Sequence, residues 1–274
     1  MKKKYTLLIL FLSIIVGGLF FLQCDVYRSS PTAIINPEQF KQEYSFAKIT
    51  SHYQGKSDYI VVLIPNLHNS FLCQSDAYRT MELLVKRTRF VAREGIIFNA
   101  NKLVGVFHWA FTGPIYFRTL ENSNTRKVIA KMEYFVKLAK NIRVETVNQW
   151  IKSNQFPEGS EINWPVKASY LLEAVYQDEV KCVGVEDADT NMRAAIAVGM
   201  YEKGSIQFKK FVSEVLNPRN KSFVKNIKTV SRRDKKGDLV LFTVGVFHIS
   251  GLKKLFEKEG ISYIVLENKS CIPK

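Results

Sequence analysis

The stretch Leu239–Leu266, LVLFTVGVFHISGLKKLFEKEGISYIVL, decides the fold. Leu239 to Val244 is a short, almost continuous apolar run with β-branched residues, the composition of a strand buried on both faces. Gly245 breaks the run, and His248 follows where the strand should have ended. Gly251 to Glu259 places Leu252, Leu255 and Phe256 at helical spacing, Gly260 stands as a C′ glycine, and Ile261 to Leu266 reads as a second strand. The result is a βαβ unit. A histidine at the carboxyl end of a parallel strand lies where open α/β sheets bind ligands, because loops there are free of packing duty. His248 is therefore the first candidate for chemistry, although loop histidines are more often solvent-facing bystanders.

Moving outward, a second strand–histidine–helix succession appears upstream. Tyr59 to Ile64, YIVVLI, predicts a strand that stops at Pro65; the loop Asn66-Leu67-His68-Asn69-Ser70 follows. A helix is then expected from Ser75 to Ala92, with Tyr78, Met81, Val85 and Thr88 on one face. His68 and His248 thus occupy equivalent stations. Gly95–Phe98 and Leu103–Phe107 read as one strand or two, and His108, flanked by Trp109, is a reserve ligand whose simpler role is structural. Between Thr125 and Ser153 the apolar spacing predicts a helical insertion. Ala168–Tyr176 reads as a helix and Val180–Val185 as a strand, ending in the acidic cluster Glu186-Asp187-Ala188-Asp189. Carboxylates here can cap a following helix, ligate a metal or act as a general base. A helix is expected from Ala188 to Leu216, and another opening with Asn217 as N-cap and Pro218 at its first position. Arg219 would then oppose the dipole of that first turn, so a bound anion or the acidic cluster should hold it.

The chain has 274 residues, 46% of them hydrophobic, enough for one substantial core. Lys2, Lys3 and Lys4 precede an apolar run from Tyr5 to Leu22, the layout of a signal peptide or membrane anchor. Cys24 is a candidate lipidation site, without the small residues that usually precede one. The expected organisation is residues 1–23 as signal peptide or anchor, 24–57 as a tether, and 58–274 as the folded domain. The formal net charge is +15, and removing the three leading lysines leaves +12. Such a body should be drawn to anionic headgroups. Nucleic acid is not an expected partner, since the export signal argues against it and the charge forms no single stripe interleaved with aromatics. Four cysteines, Cys24, Cys73, Cys182 and Cys271, include no CxxC pair for zinc. Cys182 reads as a small core residue, and a Cys73–Cys271 disulfide is one open pairing.

Asn217-Pro218-Arg219-Asn220, a helix, then the strand and the Gly245-x-x-His248 turn resemble the carboxyl-terminal signature of the TraB/Tiki superfamily, which includes erythromycin esterase-like and haem-binding ChaN-like proteins. The chain is most similar to a bacterial branch with a histidine near the first strand and a Gly-Val-Glu-Asp segment, here Gly184 to Asp187. The resemblance spans Tyr59 to Glu267. It implies an α/β fold with a mostly parallel central sheet flanked by helices, and it implies His68, His248, Glu186 and Arg219 as site residues. Pro65 stands in place of the glycine before the first histidine. The family also places an acidic residue after the second strand, where this chain is read as offering Phe98-Asn99-Ala100, so a catalytic carboxylate is expected to be missing.

Two functions follow as expectations. One is an extracytoplasmic, membrane-associated hydrolase of the bacterial envelope, acting on an amide or ester. In its metal-dependent form His68, His248 and Glu186 hold a divalent ion and Arg219 steadies a developing anion; without metal, a histidine serves as the base. The other is a non-catalytic envelope protein or lipoprotein that binds haem, a metal or an anion in the same pocket.

Overall fold

The computed structural model describes residues 33–37, 40, 47–67, 70–98, 149, 168–176, 179–197, 201 and 203–271. The expected anchor, His68, His108 and most of the expected helical insertion lie outside the described residues. Residues Ala33–Lys274 form one compact unit.

Six strands make one sheet: β1 (Ala47–Tyr53), β2 (Ile60–Asn66), β3 (Thr88–Ile97), β4 (Cys182–Glu186), β5 (Leu239–Gly245) and β6 (Ser262–Asn268). Their order is β1-β6-β2-β5-β3-β4. β1 is antiparallel to β6, and every other neighbour is parallel. The α/β expectation is met. The central strands β2 and β5 are buried along their whole length, which is why both read as unbroken apolar runs instead of alternating ones.

Helices cover both faces. The even-numbered residues Ile60, Val62 and Ile64 of β2 pack against Tyr78 and Met81 of α1 (Phe71–Leu84) and Leu172 of α2 (Ala168–Val175). The alternate residues Val61 and Leu63, with Val240, Phe242 and Val244 of β5, pack against Phe223, Ile227 and Val230 of α5 (Asn217–Arg233) and Leu252 and Phe256 of α6 (Ile249–Lys258). Two shorter helices, α3 (Ala188–Ala197) and α4 (Ile206–Phe211), lie between β4 and α5 in the chain.

Several boundaries differ from the sequence reading, each for a physical reason. The helix expected to reach Ala92 ends at Leu84, and Thr88–Ile97 is a strand. Val91 and Ala92 pair with both Cys182–Val183 and Leu241–Phe242, and two-sided ladder pairing outweighs local helical spacing. β2 runs through Pro65 to Asn66; it is paired on one side only there, since the β6 ladder ends at Leu63. Asn217 is not an N-cap. It has helical φ −64° and ψ −43°, and α5 continues without a break from a π-helical turn at Val212–Leu216. The single helix expected over Ala188–Leu216 is divided, and Ser205 caps the second piece by accepting from the Phe208 N–H at 3.0 Å. The stretch expected as a tether already contains β1, whose pairing with β6 closes one edge of the sheet.

Candidate functional site

Parallel strands deliver their carboxyl ends to one edge of the sheet, and four side chains from different elements converge there. His248 ends a 3₁₀ turn, Val246–His248, between β5 and α6. Glu186 is the last residue of β4, and Arg219 lies in α5 just after the π-helical turn. The fourth, Glu94, was not singled out from the sequence.

Glu94 lies in β3, next to an irregularity. Arg93 pairs with Gly184, yet the next pair is Ile97 with Glu186, so β3 carries two more residues than β4 over that span. Gly95 takes φ 79°, a left-handed conformation that side chains disfavour. Alternation along the strand puts Arg93 with Val91 on the α1/α2 face, where it pairs with Glu173 of α2, and Glu94 with Phe90 and Ala92 on the α5/α6 face. One Glu94 oxygen accepts the Gly245 N–H at 2.8 Å, pinning the carboxylate to the end of β5. A carboxylate thus stands three residues before the end of β3, upstream of the Phe98-Asn99-Ala100 segment where the sequence offered none. The signal was Ala92-Arg93-Glu94-Gly95, hidden when the helix was extended through Ala92.

Arg219 is the hub. Its Nε and Nη2 donate to the two Glu186 oxygens, the latter at 3.1 Å, and Nη2 also donates to Glu94 Oε1 at 3.1 Å. Nη1 lies 3.3 Å from His248 Nε2, and the guanidinium rests over the Phe223 ring at 5.5 Å. Its pKa is raised above the ordinary arginine value: burial opposes the charge, and the Glu94 and Glu186 carboxylates more than offset that. The acidic cluster thus holds Arg219, one of the two partners expected from sequence. No helix N-terminus opposes Arg219, because the helical backbone begins further upstream.

Glu186 is fully buried, and its oxygens are taken up by Arg219, the Gly95 N–H at 2.9 Å and Asn191 Nδ2 at 3.1 Å. Asp187, the residue before α3, accepts from Asn226 Nδ2 at 3.1 Å. His248 is 2% exposed, so it is no solvent-facing bystander. Its Nδ1 meets Asn220 Oδ1 at 2.6 Å, which places a proton on Nδ1 and leaves Nε2 facing Arg219 and, at 3.3 Å, Glu94 Oε1. Gly251 makes room for this arrangement: a Cβ there would lie 2.3 Å from Asn220 Nδ2. Asn66, in register with Gly245, carries a buried Oδ1 without a hydrogen-bond partner among the described residues.

The structure thus brings together Glu186, Arg219 and His248 and adds Glu94 and Asn220, while His68 lies outside the described residues. Among the described residues no group of three His, Cys, Asp or Glu side chains is arranged to hold a metal ion. Both Glu186 oxygens are engaged by N–H donors, and a cation already lies between the carboxylates. A divalent ion shared by Glu186 and His248 would have to displace Arg219. With two carboxylates and one guanidinium, the cluster carries one net negative charge when His248 is neutral. No protein-family model, curated protein or solved structure matches this chain.

Proposed function

We propose that the chain is an envelope hydrolase that cleaves an ester or amide by acid–base chemistry at His248, without a metal ion shared by Glu186 and His248. The observation that carries this reading is the Nε2 edge of His248. It is a buried imidazole with its tautomer set by Asn220 and its free nitrogen 3.3 Å from both a guanidinium and a carboxylate. In this reading Nε2 takes the proton from an attacking water. Glu94 stabilises the imidazolium that forms, and Arg219 donates to the oxygen of the acyl group as it becomes negative. The same imidazolium returns the proton to the leaving oxygen or nitrogen, so water is added across the scissile bond and the site ends as it began. Glu186 keeps the guanidinium aimed, with Asn191 and the Gly95 N–H holding Glu186 in turn. A neutral acyl compound suits a site of net negative charge better than a bare anion does.

Membership of the TraB/Tiki superfamily is part of the same proposal, supported by the convergence of the Arg219–Asn220 pair with the Gly245-x-x-His248 turn. Placement outside the cytoplasm is supported by the Cys73–Cys271 disulfide, which joins α1 to the end of the described chain. Disulfides persist in oxidising compartments. Anchoring by the apolar leader and attraction of the basic body to anionic headgroups complete the proposal.

The test is hydrolysis of a panel of simple esters and amides by the full chain, with His248→Ala and Glu94→Gln beside it and bound metal and visible absorption measured on the same preparation. Turnover that survives chelators and disappears in both variants supports the reading. Turnover unaffected by both variants overturns it. A haem band, or stoichiometric metal lost in His248→Ala, would favour the binding-protein alternative.

A further inference from the structure

At the same end of the sheet, beside the site, the surface is apolar in a way the core does not require. Helix α4 buries none of its residues, although three of its six are apolar. Ile206 is 84% exposed and Phe247, immediately before His248, is 49% exposed. The half-buried Phe208 has its ring 5.6 Å from Phe247 and 6.2 Å from Phe211. Gly204 at φ 82° makes the turn, Ser205 caps the helix, and Ile206 is delivered to the tip. Cations rim the patch: Lys203 Nζ lies 5.3 Å from the Phe247 ring, and Lys209 is exposed on α4.

We propose that this tip, Lys203 to Phe211 with Phe247, is a contact surface for an anionic lipid bilayer, holding the end of the sheet that carries His248 toward the headgroup layer. Exposed apolar side chains on a short stretch that also carries exposed lysines make an amphipathic surface of the kind that lies in a membrane interface. Aromatic rings sit at headgroup level, and the lysines complement anionic lipid. A stable protein partner would need about 800 Å² on each side, more than one helical turn and one ring supply. This inference stands on the exposed patch and does not need the hydrolase reading to be correct.

The test uses the full chain with Cys24→Ser, so that an introduced cysteine is the accessible thiol; Cys73 and Cys271 are bonded and Cys182 is buried. An environment-sensitive fluorophore is attached at Ile206→Cys or, as a control beyond the opposite end of the sheet, at the exposed Lys236→Cys. Both proteins are mixed with vesicles of phosphatidylcholine, with or without phosphatidylglycerol, carrying nitroxide-labelled lipid. The expected result is quenching and a blue shift at position 206 and none at 236, in phosphatidylglycerol vesicles. Lys203→Gln with Lys209→Gln should lower the inserted-to-free ratio of the tip about 25-fold, from roughly fivefold for each basic side chain. No quenching at 206, equal quenching at both positions, or a blue shift that follows protein concentration without lipid would each overturn the proposal. The last of these would identify a second copy of the chain as the occupant.

Discussion

Two buried arginine–glutamate pairs lie on opposite faces of the same sheet. Arg93 of β3 meets Glu173 of α2 at 2.6 Å, with side chains 2% and 8% exposed. Arg219 of α5, 11% exposed, meets the fully buried Glu186 of β4 on the other face, but there a second carboxylate and an imidazole close the circle. The first pair ties a helix to a strand. The second gathers a titratable nitrogen and three charged groups at the carboxyl ends of three strands, where no packing role demands them. Burying an ion pair costs desolvation that its attraction only partly offsets, so ion pairing alone is weak evidence of function. What separates the two is the imidazole held in one tautomer.

Turnover should break the comparison most sharply. His248→Ala is expected to lower hydrolysis by about 10²–10⁴-fold with the far-ultraviolet circular dichroism preserved. Arg93→Met with Glu173→Leu should leave turnover within a few fold. Urea titration gives the next contrast. Arg219→Met alone, which leaves Glu186 and Glu94 buried without their cation, should cost about 3–5 kcal/mol, whereas the Arg93→Met, Glu173→Leu double replacement should be neutral or stabilising by up to about 4 kcal/mol. Equal losses for both would mean that the Arg219 cluster is a structural pair like the other.

Smaller effects sharpen the account of how the imidazole is held. Gly251→Ala forces Asn220 to move and should cost about 1–3 kcal/mol while lowering turnover at unchanged secondary structure. If turnover is untouched, Asn220 does not set the His248 tautomer. Alkylation of the native protein should spare Cys182, whose thiol is pushed up by burial in the Arg93 half of the comparison. The smallest effect lies outside both clusters. Burial would raise the Asp58 carboxyl, but Lys235 at 2.7 Å and Arg89 hold it below the ordinary range. That contribution to stability is present above the unfolded value near 4 and lost as pH falls through the lower folded one, so Lys235→Gln should flatten the acid limb of a pH–stability curve.

The site was half legible. His248 and Arg219 announce themselves through a strand end and a basic residue needing a partner, and Glu186 through the acidic cluster. Glu94 was missed because Tyr78, Met81, Val85 and Thr88 continue a helical period that the chain abandons at Leu84. Only the ladders on both sides of Val91 and Ala92 make Thr88–Ile97 a strand, and those partners lie some 90 and 150 residues away in the chain. Asn220 was visible as a residue but not as the hydrogen-bond partner of His248, since that role depends on how α5 and α6 pack around Gly251.

By itself the sequence determined the strands buried on both faces, the βαβ unit at the carboxyl end and the α/β class, because unbroken β-branched runs and, where no ladder competes, helical spacing are local patterns. Tertiary structure alone decided the strand order, the strand identity of β3 that carries Glu94 to the site, the disulfide pairing and the continuity of α5 through Asn217. Each of these depends on which distant segments supply hydrogen bonds and packing, and no local period encodes that choice.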